Sequence, residues 1–113
     1  MTPKEKILNE VALIAHSHKL ALRDLMVPAR FHHIVKARNH AMWHIRTVHG
    51  YSFPRIGAIF GIHHATVIHG IASHMLLKGI RNDYTLSLEI KRKRARDRFN
   101  QMKEKALALT DAA

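Results

Sequence analysis

The stretch "PRIGAIFGIHHATVIHGI", residues 54–71, decides the fold. Its apolar residues recur every three or four positions, first up to Phe60 and again from Val67 onward, which predicts two helices that each bury one side. Gly57 is a small residue where a second helix can pack closely, and Gly61 suits a turn that needs a positive φ. Helix, short turn and helix is therefore the predicted local architecture.

The second helix of this pair is expected to run from Ala65 to Lys78. Its buried side is predicted to hold Val67, Ile68 and Ile71. The residues expected to face outward are His63, His64, Thr66, His69 and Gly70. Hydroxyl and imidazole groups near a helix N-terminus suit a helix that meets base edges in the major groove. The pattern favours a DNA reader, although helical hairpins with glycine turns also occur in bundles that bind nothing.

Helices are predicted on both sides of this pair. A first helix runs from Thr2, its cap, to about His18, and a short apolar turn ends before Pro28. A long helix ends at Gly50 and is expected to bury Ile34, Ala37, Ala41, Trp43, Ile45 and Val48. The predicted fold class is all-α, a helix-turn-helix bundle of about five to six helices with a long basic C-terminal helix. Residues 1–80 form the helix-turn-helix domain and residues 81–113 the basic extension.

Charge points to a polyanionic partner. The 113 residues carry 19 Lys and Arg against 8 Asp and Glu, a formal net charge of +11, and no acidic residue occurs between Asp24 and Asp83. Nucleic acids and membrane surfaces are both polyanions. No signal-peptide pattern and no apolar run of membrane-spanning length is present, and there is no Cys. We therefore expect a cytoplasmic, nucleoid-associated protein that binds double-stranded DNA and no membrane.

The central residues resemble a known bacterial family. "GIHHATVIH", Gly61 to His69, is similar to the signature Gly-Arg-Asp-His-Thr-Thr-Val-(Leu/Ile)-His in the C-terminal DNA-binding domain of the replication initiator DnaA, a helix-turn-helix of the Trp-repressor type. Upstream, "ARFHHIVKARNHAMWHIRTVHGYSFPRIGAIFG" resembles that family's basic loop, long helix and Ser-x-Pro-x-Ile-Gly-x-x-Phe-Gly segment. The resemblance covers roughly residues 5 to 78.

The resemblance implies a set of DNA-binding residues. Arg30 matches a basic-loop arginine that enters the minor groove, and Arg38 matches a second arginine on the long helix. The full set expected to bind DNA is Arg30, Lys36, Arg38, Pro54, His63, His64, Ala65, Thr66 and His69. Additional phosphate contacts are expected from Arg46, Arg55, Lys91, Arg92, Lys93 and Arg94.

The departures from the signature predict a changed site preference. His63 stands where the family has Asp, Ala65 replaces the first Thr, Ile62 replaces Arg, and the turn is one residue shorter. An Asp accepts hydrogen bonds from base amino groups, whereas a neutral His offers one donor and one acceptor. We expect a target other than the family's usual box. With no GxxxxGK[ST] motif in the sequence, we expect a transcription regulator or origin competitor rather than an ATP-driven initiator.

Other chemistries find less support in the sequence. His40 and His44 lie four apart on one helical face, but no acidic residue or Cys lies nearby in the chain to complete a metal shell, so no metal and no cofactor are predicted. No nucleophile and base pair, carboxylate pair or cofactor loop indicates an enzyme or a small-molecule substrate. Trp43 and Phe60 are predicted core residues.

Two alternatives concern charge and assembly. The chain could bind nucleic acid without sequence preference, as a packaging or RNA-binding protein that acts by charge alone. The run "KRKRARDR", residues 91–98, either forms only a solvated helix face or supplies a second phosphate contact beside the reader domain. Leu88, Ala95, Met102 and Leu109 fall seven apart, a thin seam that predicts a homodimer, although charged flanking positions weaken the case for a coiled coil.

Overall fold

Helices account for the secondary structure of the computed structural model, which describes residues 1–27 and 31–111. Within those residues there are six α-helices, one π-helical turn and no strand, so the predicted all-α class is confirmed. The α-helices are α1 (Pro3–Ser17), α2 (Leu22–Met26), α3 (His32–His44), α4 (Phe53–Phe60), α5 (His64–Leu77) and α6 (Asp83–Asp111). The π-helical turn, Ile45–His49, continues α3 directly. The chain divides into two units, Met1–Ile80 and Arg81–Ala113.

Side-chain caps begin α1 and α4 where the sequence predicts. The Glu5 amide donates to Thr2 Oγ1 at 3.2 Å while the Thr2 amide donates to a Glu5 carboxylate oxygen at 3.3 Å, a complete capping box. At α4, the Ser52 hydroxyl accepts from the Arg55 amide at 3.3 Å. Both helices carry Pro in the first turn, where the missing N–H costs nothing.

The core of the first unit is built around α3. This helix packs against α1, α2 and α5, and α5 also packs against α4. Each of the five helices contributes a fully buried side chain to this core, namely Val11, Leu25, Met42, Ile56 and Val67. Phe60 is buried as predicted, whereas Trp43 is only half-buried. Burial of these apolar side chains is the main stabilising term for a bundle of short helices.

The turn between α4 and α5 closes tightly, and the two helices meet at 97°. Gly61 adopts φ +67 at the end of α4, a conformation that favours glycine. The Ile62 amide then donates to the Gly57 carbonyl at 3.0 Å. A Cβ on Gly57 would lie 2.5 Å from the Ile62 carbonyl oxygen, so only glycine fits there. The angle falls in the range of helix-turn-helix motifs.

The expectation that Gly70 faces outward is wrong. Gly70 is buried, and a Cβ there would lie 2.4 Å from Asn39 Oδ1 and 2.5 Å from Met42 Cε on α3. The buried side of α5 runs through Val67, Gly70, Ile71 and His74, the three- and four-residue spacing of one helical face. Gly70 therefore lets α5 approach α3 closely.

The expected burial of Val48 is also wrong. Its side chain is 58% exposed, because the chain from Ile45 to His49 forms a π-helical turn instead of a further α-helical turn. A π turn closes its hydrogen bonds five residues apart rather than four, which rotates the following side chains away from α-helical register. Ile45 remains in the core, but Val48 points to solvent.

Three imidazoles and an indole cluster where α3 meets α5, and two of the imidazoles are stacked. The rings of His40 and His74 are parallel within 6° at 4.7 Å, Trp43 lies 5.0 Å from His74, and His18 Nε2 lies 3.0 Å from His40 Nδ1. Burial, with smaller contributions from the charges of His40, Lys78 and His18, lowers the pKa of His74 to about 4. Within the described residues, His74 Nε2 has no hydrogen-bond partner. The stack is therefore built for neutral His74.

The second unit consists of the long helix α6. Its start is fixed by a reciprocal pair of bonds, since the Asn82 amide donates to Thr85 Oγ1 at 2.9 Å and the Thr85 amide donates to Asn82 Oδ1 at 3.1 Å. Among the predicted seam residues, Ala95, Met102 and Leu109 are exposed and Leu88 is half-buried. Phe99 lies between two of them and is 66% exposed.

No single helix of the described chain is long and apolar enough to cross a membrane. Helices α4 and α5 reach the required length and apolarity only when joined across the sharp bend between them. That bend is the turn of the helix-turn-helix.

The close approach at Gly57 predicts a stability effect for Gly57→Ala. The added methyl group meets a backbone carbonyl that cannot move without opening the turn, so we expect a loss of about 1–3 kcal/mol in the free energy of unfolding, measured in urea. Ala58→Ser is the control, because Ala58 is exposed on the same helix. Equal stability of the two variants would contradict this packing.

The His74 stack predicts lower stability in mild acid. The unfolded chain protonates this imidazole near pH 6.5 and the folded chain only near pH 4, so stability is full above pH 6.5 and declines as the pH falls toward 4. We expect the melting temperature to drop between pH 7 and pH 5, and His74→Phe to reduce that drop. The exposed His16→Gln variant should behave as wild type. Identical pH profiles for wild type and His74→Phe would rule out this linkage.

Candidate nucleic-acid interface

The N-terminal end of α5 presents an exposed polar surface, which we call the α5 tip. Its members are His63, His64, Ala65, Thr66 and His69, all exposed, while Val67 and Gly70 on the opposite side are buried. The rings of His63 and His64 lie 4.2 Å apart. The positive end of the α5 helix dipole lies at the same end. The tip can therefore hydrogen-bond base edges or phosphates.

His63 has a structural role within this tip as well. It is the N-cap of α5, and its Nδ1 accepts a hydrogen bond from the Ala65 amide at 3.1 Å. The family signature has Asp at this position, and Asp is among the best N-cap residues. His63 differs in residue type but still caps the helix with its side chain. The cap leaves Nε2 of the ring available to a ligand. It also requires an unprotonated Nδ1.

Two arginines pack against aromatic rings near the start of α4. The Arg55 guanidinium lies 3.7 Å above the Tyr51 ring, and that of Arg46 lies 4.4 Å from the centre of the Phe53 ring. Arg46 also donates to the Tyr51 carbonyl at 2.8 Å. Pro54 is exposed in the same first turn of α4. The two arginines and Pro54 were predicted from the sequence, but Tyr51 and Phe53 were not. These rings lie four and seven residues from the arginines that they contact, so the sequence gives no local signal for the pairs.

Arg38 is placed inside the fold. It is 7% exposed, its Nε donates to the Leu25 carbonyl at 2.9 Å, and its Nη2 donates to the Val27 carbonyl at 2.6 Å. These bonds fix the C-terminal end of α2 to α3. A direct contact with DNA stays a prediction for this residue, whose observed contacts are to the chain itself. Lys36, two positions earlier on α3, is exposed.

The remaining predicted residues lie elsewhere. Arg30 falls outside the described residues. The basic residues Lys91, Arg92, Lys93 and Arg94 lie on α6 in the second unit, and all are exposed. The α5 tip thus brings together five of the nine residues expected to bind DNA.

A family model described as the bacterial dnaA protein helix-turn-helix matches residues 5–73. The chain belongs to this DnaA helix-turn-helix family. The match begins in α1 and ends within α5, so it includes the α4 and α5 pair and the α5 tip. No curated protein and no solved structure matches the chain significantly.

Membership in the DnaA helix-turn-helix family makes the first unit a DNA-binding domain. The resemblance seen in "GIHHATVIH" is thereby confirmed. Double-stranded DNA follows as the partner, and a DNA-binding domain of this family is not catalytic, which agrees with the prediction that the chain is not an enzyme.

Because Arg38 is buried and Lys36 is exposed, we expect their substitutions to have different effects. Arg38→Met should lower stability, and Lys36→Met should lower DNA affinity. Arg38→Met leaves the Leu25 and Val27 carbonyls without their donor, so we expect a loss of about 2–3 kcal/mol in the free energy of unfolding. Lys36→Met should change stability by less than about 0.5 kcal/mol while it weakens DNA binding and lowers the salt slope by about one. Urea titrations and DNA titrations over a salt series measure both. An Arg38→Met protein of wild-type stability would contradict this structural role for Arg38.

Proposed function

We propose that the chain is a sequence-specific reader of double-stranded DNA that acts in transcription regulation or as a modulator at a replication origin. The observation that carries the proposal is the α5 tip, where imidazole and hydroxyl groups are exposed on the first turns of a helix set at 97° to its partner. A helix presented in this way enters the major groove with its N-terminal residues against the bases.

His64 and Thr66 are the proposed base-reading residues. Both are exposed within the first turn of α5, and neither side chain caps the helix, since the cap is His63. An imidazole can donate to or accept from a base edge, and a threonine adds a methyl group that can contact thymine. His69 lies one turn further along the exposed side and is proposed to reach the same groove or its phosphates.

Phosphate contacts are proposed to position the tip. Arg55 and Arg46 rest on aromatic rings, which restricts their motion, so less conformational entropy is lost when each guanidinium binds a phosphate. Lys36 is an exposed charge on α3. Arg30 is proposed for the minor groove on the strength of the family resemblance alone.

A second candidate function is DNA or RNA packaging by charge. It is favoured by the net charge of +11 and by the exposed basic residues of α6, which need no base contact to hold a polyanion. The two functions differ in what the α5 tip does. A packaging protein loses affinity for all targets when Lys or Arg is removed and is insensitive to changes at His64.

Cytoplasmic location and homodimerisation are part of the proposal. On α6, Ala95, Phe99, Met102, Ala106 and Leu109 follow one another at alternating spacings of four and three residues, the pattern of a coiled-coil seam. A dimer carries two α5 tips and predicts a site with two related halves. A monomer predicts a single asymmetric site.

The test is selection of bound sequences from a random duplex pool at physiological salt with wild type, His64→Ala and His16→Ala. We expect a sharp motif for wild type that blurs at one or two positions in His64→Ala, because each well-made base contact contributes about 1–3 kcal/mol of discrimination. His16→Ala is the matched control, since His16 is an exposed histidine on α1. It should return the wild-type motif.

Two results would contradict the proposal. A wild-type pool without any enriched motif would favour packaging by charge. A sharp motif unchanged in His64→Ala would place base reading somewhere other than the α5 tip. The symmetry of the motif, compared with the molar mass in solution, tests the dimer.

A further inference from the structure

A carboxylate and two imidazoles converge at the end of α3. Glu10 lies on α1, His44 ends α3 and His49 ends the π-helical turn. His44 Nε2 lies 3.1 Å from Glu10 Oε1, and His49 Nε2 lies 2.9 Å from Glu10 Oε2. The three candidate ligand atoms all lie within 4.8 Å of one another. We call this group the Glu10 cluster.

The π-helical turn is what brings the two histidines together. In an α-helix, residues five positions apart point about 140° away from each other, so His44 and His49 would lie on different faces. The π turn between them brings positions five apart into line, and the two rings come within 6.0 Å. Single π turns within helices occur frequently at functional sites. Here the turn aims both imidazoles at one carboxylate.

The donor set suits a borderline-soft divalent ion. Two imidazole nitrogens and one carboxylate oxygen are a known ligand set for Zn²⁺, which leaves a fourth position for water. Bonds of about 2.0–2.1 Å to a tetrahedral ion put neighbouring ligand atoms about 3.3 Å apart. The two imidazole nitrogens lie 3.1 and 2.9 Å from the two oxygens of the one carboxylate, and one ligand atom from each residue lies within 4.8 Å of the others. Side-chain rotations that draw the three ligand atoms together would therefore complete the site.

The environment also permits entry of an ion. The three side chains are 26%, 25% and 17% exposed for Glu10, His44 and His49, so the cluster is partly covered yet reachable from solvent. No acidic residue lies close to these histidines along the chain, which is why the sequence predicted no metal. Glu10 supplies that residue from 34 positions before His44, by way of the packing of α1 against α3.

We propose that Glu10, His44 and His49 bind a divalent transition-metal ion, with Zn²⁺ as the best-suited metal. The bound ion links α1 to the turn that precedes α4. Because the ligands come from two helices that separate on unfolding, the metal stabilises the folded state by mass action. The inference does not depend on the DNA-binding function, since none of the three residues belongs to the α5 tip.

The experiment is calorimetric titration of ZnCl₂ into the full, untagged chain after treatment with a chelator, together with melting curves. Wild type should bind one ion per chain, and a tenfold or greater loss of affinity is expected for His49→Gln and for His44→Gln. The melting temperature of wild type should rise by about 5 °C with excess zinc. His16→Gln is the control for the many other histidines and should bind as wild type does.

A second variant guards against loss of folding. Glu10→Gln keeps the shape of the side chain and can still hydrogen-bond both imidazoles, so it tests the carboxylate as a ligand without removing the contact between α1 and α3. Circular dichroism verifies that each variant is folded before titration. Absence of zinc binding by wild type would overturn the proposal, and so would wild-type affinity in folded Glu10→Gln and His49→Gln.

Discussion

The fold depends on the closure of α4 onto the turn that follows it. The Ile62 carbonyl occupies the space that a side chain at Gly57 would need, and the Ile62 amide bonds back to the Gly57 carbonyl. This contact sets the angle between α4 and α5. A second close contact, of Gly70 with Asn39 and Met42, then sets α5 against α3. Gly57 on α4 and Gly70 on α5 together fix the position of α5, and the residues at its N-terminal end face solvent.

The sequence predicted the elements that are determined locally. Caps at Thr2 and Ser52, the stop at Gly61 and the periodic apolar residues of α1, α4 and α5 act over a few positions, and each was found where expected. Gly70 and Val48 were placed wrongly because their environment is tertiary. A glycine on a helix has no side chain to indicate which way it faces, and a π turn leaves no periodic signal in five residues.

The candidate site was predictable in part for the same reason. The exposed tip follows from helix register, so His64, Thr66 and His69 could be named from the pattern and the family resemblance. The eleven histidines, however, have different structural roles, and composition cannot show which histidine has which role. His63 caps a helix, His74 stacks as a neutral ring in the core, and His44 and His49 share one carboxylate. Only the partner of each ring distinguishes these roles. The partner of His63 is the neighbouring Ala65 amide, whereas those of His74, His44 and His49 come from distant parts of the chain.

The π-helical turn bears on how this chain can change in evolution. Its bonds close over five residues instead of four, so the turn holds one residue more than an α-helical path between the same neighbours. Loss of a single residue between His44 and Gly50 would restore a regular helix. The part of the chain that follows would then leave this helix in a different direction. Substitutions here change one side chain, whereas a deletion would change the direction of α5 as a whole. We expect the length of this segment to be more restricted than the identity of its residues.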